Sequence, residues 1–205
     1  MDEEKKQGTG WHFKNPIPLP LNDLVPRPDY FVHQSTIHGQ SHVARVVIYT
    51  FLLADRLNLA ARTAQAWAAA YMHDIGREHD GICRKHGQYA IDHLASLPRV
   101  RALLERGGVA PENWESIFAA VRYHCVDDIP KTHPHWEMTA ILKDADNLDR
   151  VRLGDLDPRF LRFEQSHALI PFARALYEET HWVLSPGPGY FSELWPVAQR
   201  LAGLV

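Results

Sequence analysis

The residues of this chain best suited to chemistry are a set of histidines and aspartates. There are 13 histidines in 205 residues, and imidazoles gain a core little, because each carries two ring nitrogens that need partners when buried. Six side chains stand out by position: His42 in "HGQSHVARV", His73 and Asp74 in "AAAYMHDIGRE", His86 in "KHG", His124 in "VRYH" and Asp146 in "LKDADNLDRV". Neutral imidazole nitrogens mixed with carboxylate oxygens suit Fe, Mn, Co, Ni or Zn, and the set lacks the thiolates of structural zinc sites. Adjacent residues on a helix point about 100° apart. His73 and Asp74 therefore serve one centre only if the helix ends there, and Gly76 lets the chain turn at that point.

The six come from separate segments, so helices must converge to bring them together. Residues 1–34 read as an extended, proline-rich segment that packs on the domain through Trp11, Phe13, Ile17, Leu19 and Leu21. Residues 35–205 read as one all-helical domain. Val43, Val46, Val47, Thr50, Phe51 and Ala54 form one apolar stripe at three-and-four spacing. "NLAARTAQAWAAAYM" follows with Asn58 as its expected N-cap, and "HDIGREHDGICRK" is a loop. A helix from His86 breaks near Pro98 and ends at Gly107–Gly108. Further helices are expected in "APENWESIFAAVRYH", "WEMTAILKDADNLDRVRL", "DPRFLRFEQSH" and "LIPFARALYEETHWVL", with a last one after the turn "SPGPG". No segment alternates with period two, so the fold class is all-α, a bundle with the metal site at its centre.

Composition narrows the setting. Apolar residues make up 45 % and charged residues 23 %, with net charge −3. That balance gives no general attraction to nucleic acid or to an anionic membrane. Two cysteines, Cys83 and Cys125, and a polar start without a signal-like apolar core fit a reducing, cytoplasmic location.

The three motifs around His42, His73-Asp74 and Asp146, in that order, resemble the HD-domain metal-dependent phosphohydrolases. The resemblance spans roughly residues 38–152. It implies that His42, His73, Asp74 and Asp146 ligate a divalent metal, Asp146 being the aspartate of the Ala-Asp-x-Leu unit. It also likens His86 and His124 to the histidines that bind a second ion in dinuclear members, so one or two ions are expected, with Asp74 bridging and orienting the attacking hydroxide. The implied activity is hydrolysis of a phosphate ester or anhydride in a small molecule, with a nucleotide as the expected partner; a homodimer stays open. Two other readings use the same residues: a diiron oxygenase similar to myo-inositol oxygenase, and a non-catalytic nucleotide sensor.

Several side chains could assist. Arg77, three residues beyond Asp74, is the expected phosphate contact, and His38 the donor to a leaving oxygen. Lys143, Asp146, Asp149 and Arg150 share a helical face, which makes Lys143, Asp149 and Arg150 candidates for substrate binding. Asp144 points away as a second-layer or salt-bridge carboxylate. Arg45 is expected to orient an acidic residue of another helix. His79-Asp80 reads as loop surface, His93 as packing, and Cys125 has no base to make it a nucleophile.

Overall fold

A computed structural model describes residues 14–182 and 186–203. Among the described residues every regular element is helical: α1 (Gln40–Arg56), α2 (Thr63–Met72), α3 (His86–Leu94), α4 (Pro98–Arg106), α5 (Trp114–Tyr123), α6 (Trp136–Leu148), α7 (Glu164–Ala168), α8 (Ile170–Thr180) and α9 (Tyr190–Ala202). None is long and apolar enough to cross a membrane.

The centre of the bundle is α1, buried on every side from His42 to Ala54. A helix that is apolar nearly all round must be surrounded; α1 packs against α2 and α6, and α5 closes the group by packing on both α2 and α6. In α2 the buried Ala66, Ala68, Ala69 and Ala70 allow neighbours to come close. Two of the buried polar residues of α1, His42 and Arg45, lie on the side that meets the end of α6.

Two glycines set the approach of the elements that carry histidines. A Cβ on Gly76 would lie 2.2 Å from the backbone nitrogen of Ala90 in α3. One on Gly87 would lie 2.1 Å from the Val121 carbonyl oxygen in α5. The bare backbone at Gly87 lets α3 rest on α5, and that contact puts His86 beside His124. Glycine to alanine inside a helix ordinarily gains about 0.5–1 kcal/mol. Here Gly87→Ala is expected to lose about 1–3 kcal/mol through overpacking; a urea melt showing a gain would contradict the close packing.

The N-terminal segment lies on the bundle with Ile17, Leu24, Val25 and Phe31 buried in the common core. Trp67 Nε1 donates to Leu24 O at 2.8 Å, and Val32 N to Ile75 O at 3.0 Å. Trp11 and Phe13, also expected to pack, lie outside the described residues.

The helix starting at His86 breaks where Pro98 forces a new start, giving α3 and α4. Asn58 is a correction. It does not cap α2, which begins at Thr63 after a 3-10 turn (Ala60–Arg62). It adopts φ 57° and ends α1, with Leu59 N on Ala54 O and Asn58 N on Asp55 O. That pair of bonds is a Schellman motif, and asparagine tolerates the left-handed position it needs.

Candidate metal centre

Helix ends deliver most of the cluster. His73 is the C-cap of α2 and His124 the C-cap of α5. The last carbonyls of a helix lack partners, and each histidine takes the one three residues back: His73 Nδ1 donates to Ala70 O at 2.8 Å, and His124 Nδ1 to Val121 O at 2.6 Å. His86, first residue of α3, donates Nδ1 to Cys83 O at 2.6 Å. His42, in the first turn of α1, donates Nδ1 to Asp149 Oδ2 at 2.8 Å. Carbonyls and carboxylates only accept, so all four Nδ1 atoms carry protons and all four Nε2 atoms are left to act as ligands.

Those Nε2 atoms meet in two pairs around Asp74. His42 and His73 Nε2 are 3.1 Å apart, and Asp74 Oδ2 lies 3.5 Å from each. Asp146 Oδ1 stands 3.3 Å from His42 Nε2. On the other side, His86 and His124 Nε2 are 2.7 Å apart, with Asp74 Oδ1 at 3.3 and 4.0 Å. Two donor atoms held roughly 2.1 Å from one ion at ordinary angles lie about 3.0–3.4 Å from each other. Three of these separations fall in that range and two more lie just above it, as the edges of a coordination shell would, and lone pairs facing at such distances repel unless a cation or proton lies between them. His42, His73 and Asp146 together could hold one metal ion, and each Asp74 oxygen addresses a different histidine pair.

The electrostatics favour a cation as well. Burial lowers the pKa of His73, takes His86 down to about 4 and, with the charges of His86 and His73, His124 to about 3. These rings are neutral near pH 7, the state a metal requires. For His42, burial and Arg152 act downward, but hydrogen bonds to Asp146, Asp149 and Asp74 prevail and raise it to about 9. Three carboxylates crowd one imidazole, and that excess negative charge is what a divalent ion neutralises. Asp74 is held well below the carboxylate range: burial opposes this, but His73, His38, His42 and Arg77 outweigh it. The C-terminal, negative ends of α2 and α5 point at the same place.

A family model of the HD domain matches residues 39–151. The chain belongs to the HD-domain family. No curated protein and no solved structure matches it significantly. The match extends from just before His42 to just past Asp149, so all six His/Asp positions singled out in the sequence fall within the HD domain.

Around the HD-domain cluster, the structure places His38 and Arg77 beside Asp74. His38 Nδ1 lies 3.2 Å from Asp74 Oδ2, and Arg77 Nε donates to Asp74 Oδ1 at 2.7 Å. Both are partly exposed, at 15 % and 13 % of the side chain, on an Asp74 that is sealed. Three substrate-binding expectations are corrected. Asp149 is wholly buried and does not face a substrate; it accepts from His42, from Arg45 Nε at 2.5 Å and from Arg45 Nη2 at 3.0 Å. Lys143 is buried, its ammonium taken by Val126 O and Asp128, each at 2.6 Å. Arg150 pairs with Asp155 at the surface. The shared face holds for Asp146 and Asp149, which both reach His42, but that face is turned inward onto α1 and not toward a substrate.

Arg45 meets its expectation, since it holds a carboxylate contributed from the end of another helix. Asp144 is a salt-bridge residue, bound by Arg162 and Ser166. In the loop after Gly76, Asp80 bonds Ser35 and His33. His93 packs with Nε2 on Tyr30 O at 3.0 Å. Cys125 sits beside His86 and His124 in a second group able to hold an ion; burial pushes its thiol pKa up. The sequence reading missed Asp149 as the partner of His42. A signal existed in the matched spacings His42-x-x-Arg45 and Asp146-x-x-Asp149, which repeat one turn on two helices.

Proposed function

We propose that this HD-domain protein is a metal-dependent phosphohydrolase with a two-ion centre, acting on a phosphate ester or anhydride of a small molecule of the nucleotide class. The observation that carries the reading is the position of Asp74, one oxygen toward His42 and His73 and the other toward His86 and His124. His42, His73, Asp74 and Asp146 would hold the first ion, and Asp74, His86 and His124 the second. Divalent ions such as Mn, Fe, Co, Ni or Zn supply an activated water and neutralise charge on the phosphoryl oxygens.

The side chains divide the remaining work. Asp74, sealed from solvent, orients the nucleophile by way of its fixed oxygens. Arg77 keeps Nε on Asp74 and Nη1 near Gly81 O, which leaves Nη2 for a phosphoryl oxygen. His38, anchored through Nδ1, offers Nε2 to carry a proton to the leaving oxygen. Asp149 with Arg45 fixes the ring of His42, so that Nε2 presents its lone pair at a set angle.

The test is a screen of p-nitrophenyl phosphate and a panel of nucleotides against protein loaded with each candidate metal. Turnover that depends on metal and falls with Arg77→Ala and His38→Ala by about 10²-fold or more is expected. Metal analysis separates the two halves of the site. His86→Ala and His124→Ala are each expected to reduce the metal bound from two ions per chain to one, with the first half retained. Unchanged stoichiometry in both variants would count against the second half.

A further inference from the structure

A separate cleft of about 630 Å³ opens beside the start of α1, a size that suits a small-molecule site. None of the six His/Asp residues lines it. Its polar wall is Arg45 and Arg152, and both guanidinium groups bond the single carboxylate of Asp149. Two cations against one shared anion leave a local surplus of positive charge, and because Arg45 and Arg152 are nearly sealed, with 4 % and 7 % of their side chains exposed, it acts on the cleft mainly through its field. No carboxylate stands among the described lining residues to cancel it.

The rest of the wall is aromatic. Phe31, Tyr177, His181 and Tyr190 line it, and the Tyr177 and His181 rings are stacked at 4.4 Å with planes 13° apart. Gln40 and Ser41 line its floor at the start of α1, where Gly39 supplies no side-chain cap. The cleft thus lies at the N-terminal, positive end of α1, which favours an anion. Cation, aromatic walls and absence of carboxylate select the same chemistry: a planar ring bearing a phosphate.

We propose that this cleft binds a planar aromatic anion of the nucleoside monophosphate class, at a site distinct from the metal cluster. Its occupancy does not depend on the cluster being catalytic, so binding, not turnover, is the readout. The protein is titrated calorimetrically with AMP, with adenosine and with inorganic phosphate, each with its metal in place and again with chelator, so that binding at the metal centre is separated from binding in the cleft. With chelator AMP is expected to bind one per chain and at least about tenfold more tightly than either half alone, because both halves of the ligand are engaged together. Thr36→Glu, at the exposed mouth, and His181→Glu, on the aromatic wall, each add a negative charge and are expected to weaken AMP by about tenfold without changing metal content. Asp146→Asn, at the metal cluster, is expected to leave AMP binding intact. The proposal is overturned if AMP does not bind, if both glutamate variants bind it as the parent does, if phosphate alone binds as tightly, or if Asp146→Asn abolishes binding.

Discussion

Asp74→Asn is expected to release metal from at least one half of the centre and to lower hydrolysis by about 10³-fold, the scale on which removal of a group acting directly on the reacting atoms is felt. The substitution keeps the shape of the side chain and removes the charge that both histidine pairs share. One of the two oxygens becomes an amide nitrogen, which cannot ligate an ion. Whichever way the amide is turned, either the side of His42 and His73 or the side of His86 and His124 loses its carboxylate oxygen. His38 and Arg77, which both hold Asp74, are left partly exposed and can be solvated, so the fold should survive. The measurement is metal content and kcat/KM on the same preparation, with circular dichroism as the folding control. Retention of two ions together with near-parental turnover would show that Asp74 does not bridge.

Asp149→Ala is the second large effect, and it acts on stability before chemistry. The carboxylate is fully buried against Arg45, which is itself 3 % exposed. Removing it strands a buried guanidinium, and breaking such a pair from one side costs about 3–5 kcal/mol. Arg45→Met with Asp149→Leu should recover much of that loss, because replacing both partners leaves no buried charge unpaired. It should not recover metal affinity, since His42 Nδ1 would still lack its acceptor, and such outer partners are worth about 10–100-fold. Denaturant melts and metal titrations on the two variants separate these contributions. A double variant that binds metal as the parent does would contradict the role assigned to Asp149.

The same pair fixes a pH dependence. Burial alone would raise the Asp149 pKa, but Arg45 and the His42 hydrogen bond bring it down to about 2. The folded value lies below the unfolded value of about 3.9. The stabilisation is therefore complete above that unfolded value and is lost as pH falls from about 4 toward 2. Melts of Asp149→Leu/Arg45→Met should accordingly show a weaker loss of stability over that range than the parent.

The sequence exposes the cluster because its chemistry is written in side-chain type. Imidazoles and carboxylates at helix ends have few other reasons to recur, and HD-type spacing orders them. The helical fold is legible for a related reason: the apolar stripe of α1 and the alanines of α2 repeat at helical spacing. What escapes the sequence depends on how elements sit against one another. Asp146 and Asp149 share a face, but that Asp149 meets Nδ1 of His42 and Asp146 its Nε2 follows from how α6 lies against α1. Lys143 is taken by Asp128, which lies on a loop whose path no periodicity reveals. Asn58 is equally plausible as the start of one helix or the end of another until its φ is known. The backbone contact between Gly87 and Val121, which sets His86 against His124, has no signature in the residues themselves.

The six-residue centre is tested most directly by counting the divalent ions bound per chain in protein exhaustively exchanged against metal-free buffer and then reloaded. Two ions per chain are predicted, with chelation removing both and lowering the melting point; saturation at 100 times the dissociation constant stabilises a fold by about 2.7 kcal/mol per site. A chain that retains no metal, and whose melting point is the same with chelator and with saturating Mn²⁺, Fe²⁺, Co²⁺, Ni²⁺ or Zn²⁺, would contradict it.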